Sequence, residues 1–153
     1  MSDSRTIPHD AIAEAIESIA AALAARHAEA AALIILGVAN GGIPFSEKLV
    51  HALAGKRHGQ IIQGTVNITF HRDDLHANPI PHATLPTDVP ADIENATVIL
   101  ADDVLFSGRT ARAALNEVFD QGRPARVELA VLVDRGNRCL PLQPDYAGFT
   151  EET

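Results

Sequence analysis

The chain has 153 residues, 46% of them hydrophobic and 21% charged, a balance that fits one folded domain with its own core and excludes global disorder. A net charge of −8 disfavours polyanion binding as a whole-surface property and leaves room only for a local basic patch. No apolar run reaches membrane-spanning length, and Met1-Ser2-Asp3-Ser4-Arg5 lacks the basic start of a secretory signal, so a cytoplasmic location is expected.

In chain order, residues 10–31 read as an amphipathic helix. Asp10 can cap its start, and Ile12, Ile16, Ile19 and Leu23 recur at helical spacing opposite Glu14, Glu17 and Ser18. Residues 33–38 form a continuous apolar run, as expected of a strand buried on both faces. Asn40-Gly41-Gly42 makes a turn, and Pro44 opens a helix bearing Phe45, Leu49, Val50 and Leu53 that Gly55 closes. Residues 61–70 are β-branched and partly alternating, and read as a strand. The prolines at 79, 81, 86 and 90 then rule out regular structure, so a mobile loop is expected over about 74–93. A strand at 98–100, a helix at 109–120 ended by Gly122, a strand at 127–133 and a short strand at 145–149 complete the chain. The alternation predicts one α/β domain over 1–153, with a mainly parallel sheet flanked by helices.

Three polar segments fall where strands end: 37–42, 102–110 and 134–136. Ligands of such sheets bind beyond the carboxyl ends of the strands, so the three segments converge on one site. At 102–110 a strand delivers two carboxylates, and a short loop with Ser107, Gly108 and Thr110 opens a helix. Free amides at a helix start hold phosphate, and Gly108 lets the backbone come close. Adjacent carboxylates would repel a bare phosphate, but they accept hydrogen bonds from the hydroxyls of a sugar phosphate. The same charges stabilise positive charge building at the anomeric carbon of ribose when a diphosphate leaves. Taken alone, Asp102-Asp103 would read as a strand end capping a turn; the whole string favours the ribose–phosphate reading.

The run Val98-Ile99-Leu100-Ala101-Asp102-Asp103-Val104-Leu105-Phe106-Ser107-Gly108-Arg109-Thr110 resembles the motif with which type I phosphoribosyltransferases bind 5-phosphoribosyl-1-pyrophosphate (PRPP). Arg72-Asp73-Asp74-Leu75 and Val133-Asp134-Arg135-Gly136 narrow the likeness to the pyrimidine operon attenuator / uracil phosphoribosyltransferase (PyrR) family. The resemblance implies a type I phosphoribosyltransferase-like fold and conversion of uracil and PRPP to UMP and pyrophosphate. It implies Mg²⁺ as cofactor, carried by PRPP and water near Asp102 and Asp103 with no direct protein cage. Asp102 and Asp103 match the ribose-binding acids. Leu105, Phe106, Ser107, Gly108, Arg109 and Thr110 match the 5′-phosphate loop, and Ala39, Asn40, Gly41 and Gly42 the pyrophosphate loop. Arg72 reads either as a diphosphate or interface contact with a catalytic part, or as a surface arginine paired with Asp73 or Asp74. Asp134 and Arg135 match positions near the base pocket, with a strand-end ion pair as the other reading. A homodimer or homotetramer is implied.

Two departures bear on activity. The pyrophosphate loop carries no basic residue, which predicts weaker PRPP binding or lost turnover. The chain ends at Thr153, which predicts a reduced hood over the base and a shorter C-terminus than usual. Three functions therefore stay open: an active uracil phosphoribosyltransferase, a PRPP- or nucleotide-responsive RNA-binding regulator of pyrimidine genes with little catalysis, and a phosphoribosyltransferase for another base. The negative charge disfavours RNA, and Lys56, Arg57 and His58 read as a solvated helix end rather than an RNA patch. The lone Cys139 cannot form an internal disulfide and reads as a buried or half-buried thiol. The seven histidines show no metal-ligand spacing and read mostly as surface residues.

Overall fold

The computed structural model of the chain describes residues 6–39, 41–68 and 87–151. Helix α1 (His9–Arg26) precedes strand β1 (Ala32–Val38), helix α2 (Gly42–Ala54) and strand β2 (Gln60–Val66). Strand β3 (Thr97–Leu105), helix α3 (Arg109–Gln121), strand β4 (Arg126–Asp134) and strand β5 (Tyr146–Thr150) follow. All five strands pair in parallel, in the order β2-β1-β3-β4-β5.

The apolar run at β1 is apolar because both its faces are covered. Leu33 and Ile35 pack with Ile16, Ile19 and Leu23 of α1 and Phe45, Leu49 and Leu53 of α2. Ile34, Leu36 and Val38 face the other way, against Ala114 and Val118 of α3 and against Ile93. Fully buried leucines such as Leu23, Leu33 and Leu49 contribute roughly 1.5–3 kcal/mol each. Helix α3 meets the sheet through Ala111, Ala113 and Ala114, small residues that let its backbone come near the strands.

The strand order places a switch point between β1 and β3. From β1 the chain runs through α2 to β2 at one edge, and from β3 through α3 towards β4 and the other edge. Helices α2 and α3 cover opposite faces. The connections leaving β1 and β3 therefore diverge and open a crevice at the carboxyl end of the sheet.

Several expectations need correction. Helix α1 begins at His9 behind Pro8, so Asp10 lies in the first turn and makes no cap bond. Proline suits that position because it lacks the N–H that would go unpaired, and Asp10 favours the positive helix end instead. The helix stops at Arg26, not 31. His27 leaves helical geometry, its ring 2.6 Å from Glu128, and Arg57 holds the carbonyls of His27 (2.9 Å) and Ala30 (2.6 Å). Arg57 is thus a structural tie rather than a solvated helix end, and Lys56 pairs with Glu17. Strand β2 ends at Val66, where Asn67 turns its N–H to the Thr87 hydroxyl (2.8 Å); Thr69 and Phe70 lie outside the described residues. Strand β3 runs on to Leu105, because Asp102, Val104 and Leu105 stay paired with β4. Cys139 is exposed, since its segment crosses the rim of the sheet rather than its core. Of the loop expected at 74–93, residues 74–86 lie outside the described residues. Residues 87–93 are held at the edge of β2, where Asp88 bridges Thr65, and Ile93 is buried. Among the described residues, no helix is long and apolar enough to cross a membrane.

Candidate active site

The end of β3 carries the acidic pair. Each carboxylate folds back on the next amide: Asp103 N–H donates to Asp102 Oδ1 and Val104 N–H to Asp103 Oδ1, both at 2.9 Å. These bonds fix the pair at the crevice instead of leaving two mobile side chains. Burial, with the Asp103 carboxylate beside it, pushes Asp102 up to about 8. Two like charges crowded together in low dielectric are costly, and ribose hydroxyls or a cation would relieve that cost.

The loop after β3 turns at Gly108, whose φ of +96° is ready only for a residue without Cβ. Gly108 is also the N-cap of α3 and is buried, and Arg112 N–H bonds its carbonyl at 2.9 Å. No side chain of the cap position serves the helix, so the first-turn amides are presented as a nest for an anion. The Ser107 hydroxyl accepts from Arg109 N–H at 3.2 Å. Arg109 and Thr110 are exposed at the first turn, and Phe106 is 43% exposed.

The turn after β1 comes against the acidic pair. A Cβ on Gly41 would lie 2.7 Å from Asp103 Oδ2, and one on Gly42 would collide with the Ala101 carbonyl oxygen. The glycines expected of a pyrophosphate loop are therefore required by close packing onto β3. Ala39 extends β1, its N–H bonded to the Val66 carbonyl at 2.9 Å. Asn40 and Arg72 lie outside the described residues.

At the end of β4, Asp134 is buried and paired, but with Arg138 and not Arg135. Arg138 Nη2 reaches both carboxylate oxygens at 2.8 Å, and Gly136 N–H donates to Oδ1 at 2.9 Å. The Arg135 guanidinium lies over the Phe106 ring, 4.7 Å from its centre. The structure thus brings Asp102, Asp103, 105–110, Gly41, Gly42 and Arg135 to one end of the sheet. Sequence reasoning missed Arg138; its signal was a third charged residue just after Asp134-Arg135. It also missed Glu128, a charge inside an apolar strand that demanded partners. Glu128 is 1% exposed and takes bonds from His27, Arg126 Nε (2.7 Å) and Tyr146 Oη (2.8 Å), beside Arg26 at 3.2 Å.

A family model for the phosphoribosyl transferase domain matches residues 8–152. The chain belongs to the phosphoribosyltransferase family. Proteins named bifunctional protein PyrR are similar to it. That of Chloroflexus aurantiacus is 42% identical over 91% of this chain and 76% of its own length. That of Roseiflexus is 41% identical over 97% and 81%, and that of Deinococcus radiodurans 43% identical over 91% and 76%. This phosphoribosyltransferase is therefore of the PyrR kind. Among solved structures, a hypoxanthine-guanine phosphoribosyltransferase of Bacillus anthracis superposes with TM-score 0.75 at 18% identity, over 98% of this chain and 83% of that one. A hypoxanthine phosphoribosyltransferase of Trypanosoma cruzi gives 0.74 at 18%, over 97% and 82%. At that identity the likeness concerns the fold: this phosphoribosyltransferase has the five-stranded parallel sheet flanked by helices of the type I enzymes.

The donor set can be matched to Mg²⁺. Among the described residues no group of three or more His, Cys, Asp and Glu comes together. The hard oxygen donors at the crevice are Asp102 and Asp103, and Mg²⁺ is commonly held by one or two carboxylates with phosphate and water completing the shell. The residues present fit a cation that arrives with a diphosphate.

Proposed function

We propose that the chain is a cytoplasmic, single-domain uracil phosphoribosyltransferase that converts uracil and PRPP to UMP and pyrophosphate. The observation that carries this reading is the contact between the two loops of the crevice: the Asp103 carboxylate, beside Asp102 and just ahead of the Gly108 turn, lies against Gly41. Ribose, 5′-phosphate and diphosphate would then each meet a different segment of one site. The relatives' name, bifunctional protein PyrR, supports the pyrimidine assignment.

In this reading the amides of 107–110 take the 5′-phosphate, and Asp102 and Asp103 accept the ribose hydroxyls. Those hydroxyls favour the ionised carboxyl, so binding draws the Asp102 proton off. The two carboxylates then face positive charge developing at the anomeric carbon and stabilise it without reorganising. Ala39, Asn40, Gly41 and Gly42 offer the diphosphate backbone amides and no cationic side chain. Asp102 and Asp103 would hold Mg²⁺, through water, and bound Mg²⁺ supplies the charge neutralisation the leaving diphosphate needs. Arg135 stands towards the base, and Arg72 serves as a diphosphate or interface contact. The working form is a homodimer or homotetramer.

Incubation with uracil, PRPP and Mg²⁺ is expected to yield UMP, with Asp103→Asn slower by about two orders of magnitude. Absence of UMP at high enzyme concentration overturns the reading. A panel of uracil, hypoxanthine, guanine, adenine and orotate separates it from an enzyme for another base. The relatives' word "bifunctional" favours a second role as a nucleotide-responsive RNA-binding regulator. A gel shift with pyrimidine-operon leader RNA, with and without UMP, tests that role; the charge of −8 predicts weak binding.

A further inference from the structure

The connection at 135–145 has no helix or strand of its own, yet it captures three successive carbonyls of the phosphate loop. Arg135 N–H donates to Leu105 O at 2.8 Å, and Arg138 Nη1 to Phe106 O at 2.7 Å. Cys139 and Leu140 N–H donate to Ser107 O at 2.8 and 3.2 Å. Arg138 uses its whole fork. Beside Asp134, it reaches Leu142 O through Nε (2.8 Å), Gln143 Oε1 through Nη2 (3.1 Å) and Gly136 O through Nη1 (3.3 Å). Its side chain is 12% exposed and that of Asp134 11%, so the pair is shielded from water and held in one geometry.

A peptide unit is planar and trans, so its C=O and N–H point in opposite directions. Holding the Phe106 and Ser107 carbonyls towards 138–140 turns the N–H groups of Ser107 and Gly108 to the opposite side of the loop. We propose that Arg138 is the positioning residue of the phosphate loop: it fixes the peptide between Phe106 and Ser107 in the orientation that presents an N–H to a 5′-phosphate. Arg138 acts through that carbonyl and does not touch the ligand. The inference rests on the reading that 105–110 take a 5′-phosphate.

Titration with ribose 5-phosphate, followed by amide NMR and calorimetry, separates the two claims. If the unaltered protein fails to bind it, the functional reading falls. If it binds and Arg138→Met and Arg138→Lys bind equally well, the positioning role falls. The expected result is binding weaker by about tenfold or more in both variants, because lysine can pair with Asp134 but has no fork to reach Phe106 O as well. The Ser107 and Gly108 amide resonances are expected to move in ligand-free Arg138→Lys while those of Asp103 and Gly41 stay. A merely structural arginine would lower the melting temperature and leave affinity and these resonances alone. In the unaltered protein, the Arg138 Nη1–H resonance, that of the group bonded to Phe106 O, is expected to shift when ribose 5-phosphate binds. A resonance indifferent to the ligand overturns the proposal even if neither variant folds.

Discussion

The carboxylate of Asp103 lies over Gly41, so close that a Cβ there would stand 2.7 Å from Oδ2 and 3.0 Å from Oδ1. Gly41→Ala would push aside a carboxylate held by a hydrogen bond from Val104 N–H, whereas Gly42→Ala would drive into the Ala101 backbone carbonyl, which cannot give way. Gly41→Ala is therefore expected to cost under about 1 kcal/mol of stability but at least about tenfold in ribose 5-phosphate affinity. Gly42→Ala is expected to cost about 2–3 kcal/mol. Urea unfolding and calorimetry on the two variants check this, and equal losses of stability would contradict it.

Asp102 gives a pH dependence of defined sign. Its folded pKa, about 8, lies above the ordinary 3.8. Between these values the folded protein holds a proton that the unfolded chain has released, so stability falls as pH rises through that window. Asp102→Asn is expected to flatten the slope. Chemical unfolding between about pH 5 and about pH 9 measures it. Ribose 5-phosphate binding near neutral pH is expected to release a proton, seen as a calorimetric enthalpy that varies with the ionisation enthalpy of the buffer.

Glu128 has the opposite sign. Burial opposes its charge, but bonds from His27, Arg126 and Tyr146 outweigh burial and hold its carboxyl below the usual 4.5. Its contribution is present above that value and lost as pH falls through the lowered one. Glu128→Gln is expected to cost about 2 kcal/mol, less than a sealed ion pair would, because Arg26 and Arg126 are 44% and 49% exposed. Tyr146→Phe removes one donor and is expected to cost about 1 kcal/mol. Acid unfolding curves check both, and Glu128→Gln is expected to unfold with a shallower dependence on acid.

Gly108→Ala isolates backbone strain. An added Cβ meets Leu140, Leu142 and Arg138 atoms only at ordinary contact, 3.4 to 3.7 Å. The cost is therefore conformational, about 1–2 kcal/mol for φ of +96°. Thermal melts of Gly108→Ala against Gly55→Ala, where φ is −81°, give the comparison. Equal melting temperatures would show that the loop relaxes without strain.

Much of the fold was legible because its signals are local. A continuous apolar run at 33–38, helical spacing through Ile16, Ile19 and Leu23, and glycines and prolines between elements each act within a few residues. The acidic pair and the Gly108 turn were legible for the same reason, since one strand-to-helix junction carries both. Element ends were less so. His27 ends α1 because Glu128, 101 positions away, binds its ring, and nothing near residue 27 announces that.

The sequence by itself determined the strand–helix alternation, the acidic pair and glycine turn at 102–110 and the family. Tertiary structure alone decided which groups meet across long separations. It set Gly41 against Asp103, buried Asp102 until its proton stays on near neutral pH, paired Asp134 with Arg138 rather than Arg135, and laid Arg138 on the Phe106 carbonyl 32 positions away. Spacing and propensity act along the chain. Desolvation, charge pairing and carbonyl capture depend on strand order and register, which appear only once the sheet has formed.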